Sequence, residues 1–442
     1  FEDLEAAGAP LDTLDPRTFR LFNQGAEVAI HIEGAADGAF DRGDAILFYG
    51  QGLDTKYTAT NVYWLTWGRL PGLRMAELDG APDGTGTRPT YHATTLHLEQ
   101  NRTYQSKMRD SNGDHWYWNY IYVVDGVPRS NNYPFTLPAV ATPPLSATLR
   151  GLLMSYDANP EHHTQIFIND QLILDETWLP NTEYAFATDF PSAWLQQGPN
   201  TITVRAGLSA MRDIPFINWF TLDYYAPYQA VANRLTFGGD AAGTWEYVVG
   251  GFTTETVALL DITDPHAPAR ITGGEIVAGD GYTLTFRQSA PEPRRYLALA
   301  EAERRTPLTI IADRASTWRS PDNGADYIVI SPAEFHTALA PLIARREAQG
   351  LRVALVDVQD AYDEFAEGIF TPEAIHDFVA YAYHNWSAPA PAYLLLVGDG
   401  HYDYRNYFNR DQPNHLPPYM GYVDPWMGET AADNRYVTVA GD

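Results

Sequence analysis

The chain has 442 residues, of which 45% are hydrophobic and 13% aromatic, and it carries a formal net charge of −27. This length predicts two to four domains, and this composition can build real hydrophobic cores, so intrinsic disorder is not expected. The acidic balance argues against nucleic acid as a partner, because clusters of Lys and Arg bind phosphate backbones. No apolar run approaches the length of a membrane-spanning helix.

The sequence contains no cysteine, which excludes disulfides, thiolate metal sites and a cysteine nucleophile within these residues. Acidic residues are spread along the chain, and either solubility or a surface that collects Ca²⁺ outside a cell explains them. The sequence opens on Phe1 without a signal peptide, and residues 436–442 alternate like a strand that is cut short. We therefore expect a fragment of a longer polypeptide, which is either processed near Asp442 or continues beyond it.

The first three quarters of the chain predict β structure. Residues 1–95 contain short alternating apolar runs broken by Gly and Asp, which is typical of antiparallel strands. Residues 96–228 contain longer runs of the same kind, with the hairpin signal Asn169-Asp170 between two of them, and predict a β-sandwich of jelly-roll type. Residues 229–320 predict a further small β domain.

The pattern changes in residues 326–442, where strands and helices alternate. Strands are predicted at 327–330, 352–358 and 393–397, with helices after Ser331-Pro332-Ala333-Glu334 and after Thr371. In the first helix, Ser and Glu at this spacing predict a capping box. The strands are continuously apolar, which predicts a parallel α/β sheet.

Polar residues follow the second and third strands of this predicted sheet. Asp357 and Asp360 follow one strand, and Asp399, His401 and Asp403 follow the other. Ligands of open parallel sheets bind beyond the carboxyl ends of the strands, so these side chains are either a catalytic or metal-binding cluster or caps and solvated turn residues. No Cys and no G-x-S-x-G motif supplies a nucleophile for His401 to serve.

Other candidate groups have ordinary explanations beside the functional ones. His162-His163 suggests a metal site, but adjacent strand residues point to opposite faces. Residues 110–116 resemble a Ca²⁺ loop without the spacing of an EF-hand. Alternation places Trp116, Trp118, Tyr120 and Tyr122 on one face, as a core stripe or a sugar-binding platform. Asp433 and Asn434, before the last predicted strand, suit either Ca²⁺ or a helix cap.

The α/β segment resembles the gingipain family of cysteine peptidases, specifically the PorU-like surface proteins related to the sortase of type IX secretion. The resemblance is carried by residues 326–335, 345–368, 371–386 and 393–405. Residues 116–123, 162–173 and 217–224 resemble the β-rich part of the same group.

The resemblance implies a caspase-like α/β domain of two subdomains, in which the second carries a His-Gly motif and the nucleophilic Cys. This sequence matches only the first subdomain and contains neither feature, so no residue is assigned a catalytic role. Calcium sites occur in gingipain-like domains. By location, the resemblance makes Asp399, Asp403 and Asp433 the candidate ligands.

Together these observations predict the N-terminal part of a secreted gingipain-like peptidase. Its expected partners are the remainder of the same precursor and a peptide or protein substrate. The alternative is a non-enzymatic surface protein, in which a degenerate peptidase domain is a scaffold and the β domains bind glycans or proteins.

Overall fold

The computed structural model describes residues 1–108, 113–142, 145–155, 161–239, 241–424 and 426–440. The chain divides into two compact units, and each unit is built from segments that are not consecutive in the sequence. Unit 1 contains Phe1–Leu73, Ser106–Asp114 and Thr309–Asp442, and unit 2 contains Arg74–Gln105 and His115–Leu308. The boundaries of the four predicted segments stay predictions. Among the described residues, no helix is long and apolar enough to cross a membrane.

In unit 2, two antiparallel sheets share one hydrophobic core. Inward side chains alternate with outward ones, as in the strand Ser146–Met154, because successive side chains of a strand point to opposite faces. One sheet has the strands Asn119–Tyr120, Phe216–Ala226, Ser146–Met154 and Glu183–Pro191, with His92–Glu99 paired to the second of these. The other sheet has the strands Arg129–Leu137, Gly198–Ala206, His162–Ile168 and Gln171–Trp178.

A separate core in unit 2 lies between the strands that follow residue 229. One sheet has the strands Arg234–Gly238, Arg295–Ala300, Val257–Asp261, Ala269–Thr272 and Glu77–Asp79, and the other has Gly243–Phe252, Gly281–Ala290 and Glu275–Gly279. Short strands at Thr103–Tyr104 and Trp116–Tyr117 pair with each other. The strand Glu77–Asp79 pairs with Ala269–Thr272, so it joins a sheet whose other strands come much later in the chain.

The N-terminal part of unit 1 is a small β assembly. The strands Ala26–Val28, Arg20–Asn23 and Trp64–Thr66 form one antiparallel sheet, and His31–Glu33 pairs with Ala45–Leu47. A short helix, Glu2–Ala6, precedes them. Phe19, Val28 and Ile30 are fully buried in their common core.

The C-terminal part of unit 1 contains a parallel sheet in the order Val353–Asp357, Tyr327–Ser331, Tyr393–Leu396. Every residue of the central strand is buried, which explains its continuous apolar sequence. Tyr327 and Val329 pack on the side of the helix His336–Glu347. Ile328 and Ile330 pack on the other side, with the helices Val358–Ala366 and Pro372–Asn385. The predicted fold class, β-rich domains followed by an α/β subdomain, is confirmed.

Three local expectations need correction. The capping box is wrong: Ser331 is buried in the strand, and a turn of 3₁₀ helix, Ala333–Phe335, precedes the helix. The helix Val358–Ala366 was not predicted, because it begins directly after its strand without a turn signal. The expected terminal strand is wrong as well: Asp433–Val437 is a 3₁₀ helix, because Tyr436 is buried and its hydroxyl donates to Pro417 O. A hairpin of the strands Met420–Asp424 and Gly428–Ala431 precedes it.

Candidate functional site

The carboxyl edge of the parallel sheet is built from the ends of its strands. The strands end at Ser331, Asp357 and Leu396. Asp357 caps the following helix, since its Oδ1 accepts from the backbone N–H of Gln359 at 3.2 Å. Gly398 has φ +146°, and a Cβ there would lie 2.8 Å from the Cβ of His415. The chain therefore leaves this edge through a turn that requires glycine.

The polar residues of this turn hold the loop that follows. Asp399 is exposed and its Oδ1 accepts from Gly400 N at 2.9 Å. Asp403 is only 6% exposed, and its oxygens accept from the backbone N–H groups of Tyr407 and Phe408 at 2.7 and 2.9 Å. Nε2 of His401 lies 3.1 Å from the carbonyl of Gln412, so it donates to that carbonyl. This hydrogen bond connects the two ends of the loop, so His401 has a structural role there.

The residues predicted as calcium ligands have different surroundings. Asp433 is exposed and begins the 3₁₀ helix near the C-terminus, whereas Asp403 is buried among loop amides. Among the described residues, no group of three or more His, Asp or Glu side chains is placed to hold a metal ion. Calcium binding by Asp399, Asp403 and Asp433 stays a prediction. The loop at 110–116 lies partly outside the described residues, as does Asp442.

Two aspartates on the helix Val358–Ala366 have perturbed pKa values, and the sequence analysis identified only the first of them, Asp360. Asp360 was predicted at this edge, and its Oδ2 accepts from Trp318 Nε1 at 2.8 Å. Burial, together with the charges of Asp357 and Glu364, raises the pKa of Asp360. Burial also raises the pKa of Asp363 to about 6, against a hydrogen bond from Gln359 that lowers it. Asp363 therefore titrates about two pH units above an ordinary aspartate, and nothing in the sequence indicates this.

A segment from the N-terminal part of unit 1 contacts this α/β subdomain. Lys56 Nζ lies 2.6 Å from Glu429 Oε1, and the Glu429 side chain is fully buried. Asp54 pairs with Arg405. Tyr57 OH donates to Glu373 at 3.4 Å, at the start of the helix Pro372–Asn385, and burial raises the Tyr57 pKa. Residues 54–57 thus contact the helix Pro372–Asn385, the loop that contains Arg405 and the hairpin that contains Glu429, all more than 300 positions later in the chain.

The predicted histidine pair separates as expected of adjacent strand residues. His162 is 2% exposed, and its Nδ1 lies 2.6 Å from Asp213 Oδ1. His163 lies on the outer face, between Ser209 and Asp175. The pair does not share a ligand position.

The aromatic stripe is divided between core and surface. Trp116 and Trp118 are 6% and 7% exposed, whereas Tyr120 and Tyr122 are 46% and 52% exposed. The rings of Tyr120 and Tyr122 are 6.4 Å apart and nearly perpendicular. The core interpretation holds for Trp116 and Trp118, and sugar binding at the exposed Tyr120 and Tyr122 stays a prediction.

Comparisons with known proteins found a family match, for the C-terminal part of the chain, and a similar solved fold. Residues 320–442 match the model of Peptidase family C25. No curated protein matches the sequence. The structure is similar to that of dimeric latent PorU from Porphyromonas gingivalis, with a TM-score of 0.66 at 16% identity, over 99% of this chain and 44% of that chain.

A family 35 carbohydrate-binding module from Clostridium thermocellum also aligns, over 30% of this chain and 90% of that chain at 13% identity. Its TM-score of 0.18 is too low to indicate a shared fold. The family match and the PorU fold confirm the gingipain resemblance. The chain spans less than half the length of the PorU structure.

Proposed function

We propose, from the premise that residues 320–442 form a domain of peptidase family C25 on a PorU-like fold, that this chain is the N-terminal part of a secreted cysteine endopeptidase. It would supply the β domains and the first, non-catalytic half of a caspase-like domain. The His and Cys of the dyad would come from polypeptide that follows residue 442. The observation that carries this proposal is a C25 domain in a sequence without cysteine.

In this arrangement the carboxyl edge of the sheet would be a wall of the complete site. Parallel sheets bind ligands at this edge, and Asp357, Asp399 and Asp403 rigidify its loops through backbone amides. The expected partners are the remainder of the polypeptide and a peptide substrate, and the expected location is extracellular or at the cell surface.

The test is labelling of the polypeptide encoded beyond residue 442 together with this chain. A thiol-directed peptidase probe should label the long polypeptide at a downstream Cys and should not label residues 1–442 alone. Mutation of that Cys to Ala should abolish labelling and peptide cleavage. A continuation without a His-Gly motif and a Cys would refute the proposal.

The exposure of Tyr120 and Tyr122 favours a second candidate, a surface protein whose β domain binds glycans. Exposed aromatic rings provide apolar faces on which sugar rings stack. Binding of soluble polysaccharides, followed by tyrosine and tryptophan fluorescence, should be lost in Tyr120→Ala/Tyr122→Ala. Equal titration curves for the variant and the parent chain would exclude this role.

A further inference from the structure

A serine, a histidine and an aspartate are linked by hydrogen bonds on the outer face of the sheet that contains the strands His162–Ile168 and Gln171–Trp178. Ser209 Oγ lies 2.6 Å from His163 Nδ1, and His163 Nε2 lies 2.6 Å from Asp175 Oδ1. His163 and Asp175 lie on neighbouring strands, and Ser209 lies in the loop after Gly198–Ala206. We propose that these residues form a nucleophile–base–carboxylate relay, and that Ser209 hydrolyses small, solvent-accessible acyl esters.

In a neutral His163 ring, the hydrogen-bond partners determine which nitrogen carries the proton. An ionised carboxylate only accepts, so Nε2 of neutral His163 carries the hydrogen that Asp175 receives. Nδ1 is then an acceptor, and the Ser209 hydroxyl donates to it. This is the protonation state in which an imidazole can take the proton of a serine nucleophile. The ring nitrogens have exchanged roles relative to the serine-protease triad, in which Nε2 faces the serine.

The carboxylate of this relay is itself fixed. Gln165 Nε2 donates to Asp175 Oδ2 at 2.8 Å. The hydrogen bond from Gln165 lowers the pKa of Asp175 below its ordinary value, and the hydrogen bond from His163 lowers it further. The carboxylate thus stays ionised at neutral pH, where it orients the ring and stabilises the imidazolium that forms during attack.

A second hydroxyl–imidazole–carboxylate chain in the same unit provides a contrast. Thr221 Oγ1 lies 3.1 Å from His97 Nδ1, and His97 Nε2 lies 2.9 Å from Glu99 Oε2. Thr221 is 8% exposed, whereas Ser209 is exposed. Connectivity alone is therefore shared by both chains. Access to a substrate distinguishes Ser209 from Thr221.

The proposed reaction needs only the ester and water. Ser209 Oγ bonds to the carbonyl carbon while its proton passes to Nδ1 of His163. Collapse of the tetrahedral adduct breaks the ester C–O bond, and the leaving alkoxide takes the proton from Nδ1. Water then attacks the acyl-serine by the same route and releases the carboxylic acid. The exposed position of Ser209 matches small acyl groups at a surface, such as acetyl esters.

The test is p-nitrophenyl acetate hydrolysis by the full 442-residue chain. General-base activation contributes about 10²-fold or more, so Ser209→Ala and His163→Asn should each lose most of the enzymatic rate. Ser130→Ala, at an exposed serine in the same sheet as His163, and His97→Asn, whose hydroxyl partner Thr221 is buried, should keep it. Near-UV circular dichroism confirms the fold of each variant.

Active-site labelling separates acyl transfer from general hydrolysis by surface groups. A fluorophosphonate probe should modify Ser209, located by mass spectrometry of the peptide, and modification should fail in His163→Asn. The proposal is overturned if Ser209→Ala hydrolyses the ester as fast as Ser130→Ala, or if Ser209 is not labelled. Neither result bears on the downstream cysteine, so this inference and the proposed peptidase function fail independently.

Discussion

At the scale of single residues, a buried carboxylate has the role that its nearest donors give it. Asp399 and Asp403 are four positions apart in the same polar loop, yet Asp399 is exposed and Asp403 is buried and accepts from the amides of Tyr407 and Phe408. Sequence position identified both as candidate ligands. Only the packing of the loop shows that Asp403 already holds backbone N–H groups.

Asp403→Ala should destabilise unit 1 by about 1–3 kcal/mol, because the half-buried amides of Tyr407 and Phe408 lose their acceptor. Thermal unfolding of the chain, with calcium and with chelator, measures this. The amide-capping role predicts the same loss in both conditions. A loss seen only with calcium would instead establish Asp403 as a metal ligand, and Asp399→Ala, at an exposed position, is the matched control.

At the scale of elements, local signals work where neighbouring residues decide the geometry. Asn169 and Asp170 both have positive φ, +45° and +66°, as the predicted two-residue hairpin turn requires. Likewise, Ile375, Phe378, Val379 and Ala382 share the buried face that their spacing predicted. The terminal strand failed because the burial of Tyr436 overrides the alternation of residues 436–442.

Asp170→Gly should stabilise unit 2 by up to about 1 kcal/mol, because glycine adopts a left-handed conformation without the cost of a Cβ. Asp170→Val should destabilise it, since a β-branched residue disfavours positive φ. Chemical denaturation of both variants measures the difference. A more stable valine variant would contradict the observed turn conformation.

Asp363, on the helix Val358–Ala366, makes the stability of the protein depend on pH. The raised folded-state pKa of Asp363, about 6, exceeds the unfolded value near 3.9, so its contribution to stability is complete below about pH 4 and is lost as pH rises through 6. Asp363→Asn should therefore be more stable than the parent at pH 8, by on the order of 1 kcal/mol after allowance for its partial exposure.

Urea denaturation at pH 4.5 and pH 8 measures this difference, which should grow with pH. The control is Glu347→Gln, an exposed carboxylate on the helix His336–Glu347. If Asp363→Asn changed the free energy of unfolding equally at both pH values, burial would not raise the pKa of Asp363.

At the scale of the whole molecule, contacts between distant parts of the sequence build unit 1. The pair Lys56–Glu429 joins residues 373 positions apart, and the Glu429 side chain is fully buried. A buried ion pair costs desolvation of both charges, so removal of one partner is more disruptive than replacement of both.

Lys56→Met should destabilise unit 1 by about 3 kcal/mol, because it leaves the Glu429 charge without this cation. Adding Glu429→Gln to Lys56→Met should recover part of the loss. Hydrogen exchange at residues 51–66 and chemical denaturation measure the two effects. A double variant no more stable than Lys56→Met would show that the pair does not couple.

The sequence by itself determined the β-rich start, the parallel α/β end, the helix faces and the absence of a cysteine nucleophile. These follow from periodicity and composition, which depend on neighbours within one element. Tertiary structure alone decided the burial of Asp363, the contact of Lys56 with Glu429 and the meeting of Ser209 with His163 and Asp175. Each depends on how segments far apart in the sequence pack together. The spacing of residues along the chain does not specify which of these segments come into contact.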